Sequence, residues 1–199
     1  MKTRTLPFLG LVLSLSLAHA GPDPVAPIME IPGSGSIPAA GDTSRLSMAG
    51  GSIKVRVQTS GLDPSTPHTV WAVIFNHPEF CHSTPCSSLD FPTMAGHDPR
   101  VEATSMFVTG GRSDADGNGH FVGRIYRLGP DGILTRLVTW GPGLLTPNAA
   151  EIHIVVRNHG APAPQDVDAA ITSFTGGCNA DNAVQPPCGN VQVAIHLAR

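Results

Sequence analysis

The run from Glu151 to Gly160, EIHIVVRNHG, alternates with a period of two: Ile152, Ile154 and Val156 fall on one side of an extended chain, and Glu151, His153, Val155, Arg157 and His159 on the other. This predicts an antiparallel strand with one face on the core and the other carrying the charge. HTVWAVIFN, residues 68 to 76, is apolar almost throughout. Its β-branched and aromatic content favours a strand covered on both faces over a short buried helix, so it is the expected central strand. RLSMAGGSIKVRVQTSGL reads as a hairpin turning at Gly50 and Gly51, with Ile53, Val55 and Val57 inward and Lys54, Arg56 and Gln58 outward. Further strands are expected over 101–110, 119–127 and 133–140, and in the closing VQVAIHLA. There Val191, Val193, Ile195 and Leu197 share one face and Gln192, Ala194 and His196 the other. One short helix fits QDVDAAITSF. About seven to eight short strands with almost no helix predict an all-β chain folded as a single antiparallel β-sandwich, with an irregular, disulfide-pinned loop before the last strand.

The ends and the cysteines add a compartment. Lys2 and Arg4, the apolar run LPFLGLVLSLSL and the site Ala18-His19-Ala20 predict a signal peptide over residues 1–20. Residues 21–43 scatter Pro, Gly and Ser without a period and are expected to be a flexible leader, leaving 44–199 as the β-sandwich domain. Four cysteines in an exported chain predict two disulfides. Of the three ways to pair them, spacing favours the local loops Cys81–Cys86 and Cys178–Cys188. A periplasmic or secreted location follows, and no later apolar run is long enough for a transmembrane helix. A net charge of -3 with 14% charged residues, and no Lys/Arg cluster, excludes a general nucleic-acid binder.

Candidate chemistry centres on the polar side of 151–159. His153 and His159 are separated by roughly 20 Å of strand and cannot share an ion. Glu151 and His153 could, joined by His196 if the two strands are neighbours and completed by His68 or His120, a donor set suited to Zn²⁺ or Cu²⁺. No H-x-H pair or HExxH helix accompanies it. The plainer expectation is that these histidines hydrogen-bond Glu151, Arg157 and loop carbonyls, and that no cofactor is needed. Arg157 and His159 could bind an anion through the guanidinium fork, although an Arg in a sandwich strand more commonly pairs with a neighbouring carboxylate. Asp114 to Gly119 opens like a calcium loop, but its twelfth position would be Ile125, so a tight turn is expected rather than Ca²⁺. Trp71, Phe75 and Trp140 read as core. No G-x-S-x-G, no nucleotide fingerprint and no distinctive pair of carboxylates occurs. The reading is a non-enzymatic binding or structural module whose partner is a protein, a glycan or a small anionic ligand. A copper- or zinc-binding protein is the alternative, and a hydrolase a weaker one.

HTVWAVIFNHPEFC with a second Cys five residues on, AEIHIVVRNHG, then GGC with a later Cys and the closing VQVAIHL together resemble a group of exported bacterial proteins of unassigned function, over residues 45 to 199. The rhythm of a GL turn, a His-containing strand, an acidic-glycine hairpin and a final short strand is also similar to the CHRD type of extracellular β-sandwich. Both resemblances imply a β-sandwich outside the cytoplasm, and neither implies an activity or catalytic residues.

Overall fold

The computed structural model describes residues 23–49, 52–126, 138–160, 167–173 and 188–199. Its strands are β1 (Val25–Pro27), β2 (Met29–Glu30), β3 (Thr43–Ala49), β4 (Ser52–Thr59), β5 (Pro67–Phe75), β6 (Ala103–Arg112), β7 (Gly119–Tyr126), β8 (Val138–Trp140), β9 (Glu151–Asn158) and β10 (Gly189–His196). They form a four-stranded sheet in the order β1-β3-β4-β7 and a six-stranded sheet in the order β2-β10-β9-β5-β6-β8, with every pairing antiparallel. This is the all-β sandwich the alternating pattern predicts. A short helix, α1 (Val167–Ala170), falls within the predicted helical stretch, and no helix among the described residues is long and apolar enough to cross a membrane.

The core lies where inward positions of the two sheets meet. Val55 and Val57 of β4, with Phe121 and Ile125 of β7, face Val70, Ala72 and Ile74 of β5 and Ile152, Ile154 and Val156 of β9. As expected, β5 is interior to its sheet and buried on both faces. The hairpin register is also as read, with Ala49 opposite Ser52, although the turn residues Gly50 and Gly51 lie outside the described residues.

Three expectations need correction. The stretch read as a flexible leader is hydrogen-bonded into both sheets from Val25 on: β1 pairs with β3, and β2 pairs with β10. Its alternation is short, but Ala26 and Ile28 point into the core, and prolines are tolerated at sheet edges. The connection from β6 to β7 is a tight turn, closed by the Asp114 amide on the Asn118 carbonyl, yet it carries the chain from one sheet to the other. The face of β9 expected to carry the charge of a half-buried sheet is covered as well.

That cover is the excursion between β5 and β6. Phe75, Cys86, Val101 and Ala103 form a second apolar cluster, with Val73, Phe80, Cys81, Phe91 and Trp140 against it. Asn76 anchors the base of the excursion: its Nδ2 donates to the carbonyls of Glu102 and Gly143, and its Oδ1 accepts from the Leu145 amide. The Cys81–Cys86 disulfide is formed. Cys188 is disulfide-bonded too, and Cys178, its expected partner, lies outside the described residues.

Candidate ligand site

The strand register brings the site residues together. Phe75 lies opposite Glu151 and Val73 opposite His153, so on the outer face of the six-stranded sheet a carboxylate and an imidazole sit beside two apolar side chains. Glu151 is buried, and its Oε1 accepts from the Cys86 amide at 2.8 Å and from His153 Nε2 at 2.7 Å. A carboxylate oxygen accepts, so Nε2 is the nitrogen that donates to Glu151, and in the Nε2–H tautomer Nδ1 keeps its lone pair. Nδ1 makes no hydrogen bond among the described residues, yet it is not one of the polar atoms sealed in the interior.

His153 lines a groove of about 330 Å³ whose floor includes Val73 and Phe75 and whose wall includes Ser87, Ser88, Phe91, Thr93 and Met94. The Phe75 ring meets the imidazole edge-on at 5.1 Å, and Phe91 stacks on Trp140 at 5.0 Å. Local hydrogen bonds pin the start of this wall. Ser87 caps the short 3-10 turn Ser88–Asp90, while Asp90 accepts from the backbone and side chains of both Ser87 and His82. Burial on its own would raise the Asp90 carboxyl, but these hydrogen bonds outweigh it and hold the group below its ordinary range.

His196 does not join Glu151 and His153. It lies opposite Ile152, on the inner face of the sheet, where its Nε2 meets Ser44 Oγ at 3.0 Å. From Gln192 on, the alternation of β10 is as read but its sense is reversed, while Val191 is buried too, beside the bulge between Asn190 and Gln192. Gln192, Ala194 and His196 point into the core, and Gln192 is satisfied there by Thr59, Ser36 and Ser60. His68 is also on the inner face, with Nδ1 on the Thr66 carbonyl, whereas His120 is exposed on β7 of the other sheet. Burial lowers the pKa of both His68 and His196 to about 4, and each has one ring nitrogen sealed without a partner. Among the described residues, three ligating side chains converge only at Cys81, Cys86 and Asp90, and there the two sulfurs are bonded to each other.

Arg157 and His159 share the outer face at its other end. Arg157 Nη1 donates to Asn190 Oδ1, and burial lowers the pKa of the guanidinium. His159 is buried, with Nε2 at 2.7 Å from Thr69 Oγ1, which also accepts from Trp71 Nε1. The Asp114 carboxylate accepts from the amides of Asp116 and Asn118 and from Asn118 Nδ2, closing the turn. Ser87, Ser88, Phe91, Thr93, Met94 and Asn190 are among the groove residues that sequence patterning misses. The signal they offered was two large apolar side chains, Phe91 and Met94, in an otherwise irregular segment after the disulfide.

No family model matches the chain, and no match to it was found among curated proteins or solved structures.

Proposed function

We propose that the protein is an exported, non-enzymatic binding module that takes a small ligand into the groove beside His153. One observation carries this reading: His153, oriented through Nε2 by Glu151 and with no hydrogen bond to Nδ1 among the described residues, lines a largely apolar recess. Disulfides and the signal-like residues 1–20 support a periplasmic or secreted location. The non-enzymatic part is supported by the hydroxyls nearby. Ser87 Oγ is committed to Asp90 and the Leu89 amide, and no hydroxyl of Ser87, Ser88 or Thr93 hydrogen-bonds His153. A hydrolase of the serine type would need a hydroxyl nucleophile in that position.

The test is a thermal-shift screen of the purified protein against neutral, anionic and sugar-like small molecules, run beside His153→Ala. At least one compound is expected to raise the melting temperature of the wild type and not that of the variant. A screen with no such compound would remove the reading.

One feature favours a copper or zinc reading: a histidine with one nitrogen open and the other held by a carboxylate has the outer-shell arrangement of a metal ligand. In that reading His153 is the ligand and Glu151 its orienting partner. Elemental analysis of untagged protein incubated with Zn²⁺ or Cu²⁺ decides it: about one ion per chain, lost in His153→Ala, is the outcome it requires.

A further inference from the structure

Resting on the groove as a binding site, we propose that its ligand is a neutral aryl compound bearing one O–H or N–H donor, with the donor on His153 Nδ1 and the ring among Phe75, Phe91 and Met94. The pieces are chemically one-sided. Glu151 takes the donor Nε2–H, so the nitrogen of His153 left for a ligand in this groove-lining ring is the acceptor Nδ1, and a ligand must bring the donor. Around it stand Val73, Phe75, Phe91 and Met94, apolar groups that suit a flat apolar body. Phe75 and Phe91 already meet edge-on at 6.3 Å and Phe91 stacks on Trp140, so a further ring extends an existing aromatic cluster.

The same inventory disfavours the other ligand classes. No Lys or Arg lines the groove among the described residues, and the buried Glu151 lies behind its floor, so an anion finds no counter-charge. A sugar carries several hydroxyls that all need partners. Of the polar groups lining the groove, Ser87 Oγ is committed to Asp90 and Asn190 Oδ1 accepts from Arg157, leaving the Ser88 and Thr93 hydroxyls and Asn190 Nδ2 against an otherwise apolar lining.

The experiment is an NMR titration of the ¹⁵N-labelled protein at about pH 8, above the ordinary histidine range, with p-cresol, toluene, methyl β-glucoside and acetate as probes. p-Cresol should bind with a Kd on the order of 0.1–1 mM, shift the amides of residues 86–94, and move the His153 Nδ1 resonance upfield as its lone pair accepts. Toluene should bind roughly tenfold more weakly, and that discrimination should vanish in His153→Phe. The Nδ1 resonance is read on the wild type, so the test survives a variant that fails to fold. Equal binding of toluene and p-cresol, with Nδ1 unmoved, would overturn the assigned donor. Saturable binding of the glucoside or acetate in its place would overturn the ligand class while leaving a binding module. No shift at residues 86–94 with any probe would overturn both.

Discussion

His153 and His196 occupy adjacent strands one register step apart, yet they live in opposite surroundings. His153 opposes Ile195 on the outer face, paired with a buried carboxylate and opening onto a groove; His196 opposes Ile152 on the inner face, against a serine hydroxyl, with its other nitrogen sealed. The outer imidazole is oriented and only partly buried, which is what a binding group requires. The inner one, like His68, is held neutral by the core around it. The same residue type thus sets ligand chemistry on one side of the sheet and acid sensitivity on the other.

The largest effect should come from acid on the inner face. His68 and His196 have folded pKa values of about 4 against an ordinary 6.5. Below about pH 6.5 the unfolded chain therefore takes up protons that the folded chain refuses. Stability is intact above that value and falls progressively towards pH 4, by up to about 3 kcal/mol for each imidazole. Urea midpoints measured across this window should fall with pH, and His196→Leu should remove close to half of the slope while leaving the groove intact. A slope unchanged by that substitution would break the contrast between the faces.

Next in size is Glu151→Ala, which leaves the Cys86 amide and His153 Nε2 without their acceptor. A loss of about 2–3 kcal/mol in urea denaturation is expected, and a smaller one for Glu151→Gln, which keeps an acceptor oxygen. Replacing both Cys81 and Cys86 by Ser should cost about 2 kcal/mol, given the short loop they close. Hydrogen exchange should then show residues 77–101 losing protection while β4 and β7 keep theirs. The smallest effect belongs to Met94→Ala at the exposed rim of the groove: stability should stay within about 0.5 kcal/mol, and any ligand affinity should drop.

The regular half of the molecule was legible because its periods are local. The apolar run of β5, the alternation of β4 and the i, i+2 placement of Glu151 and His153 all follow from strand geometry. Local pattern fails where the partner is remote. Gln192 and His196 look like solvent-facing positions until Thr59, Ser60 and Ser44 meet them from more than 130 residues away. A bulge between Asn190 and Gln192 further shifts the register of β10 against β9. The groove was hidden for a related reason. Its orienting contact is a main-chain amide, that of Cys86, which has no side-chain signature, and its wall is an irregular segment whose shape depends on a capping serine and a buried aspartate.

The strand order has a temporal side. Residues 189–196 form the second position of the six-stranded sheet, between residues 29–30 on one side and 151–158 on the other. A chain threaded N-terminus first must therefore hold β9 as an open edge, and β2 without a neighbour, until these late residues emerge. Closing that gap joins positions far apart in the chain, which is slow for β topologies, and until then the edge is available to other chains. Of the described strands it is β10 that seals the sheet, and the open edge of β9 closes when β10 docks.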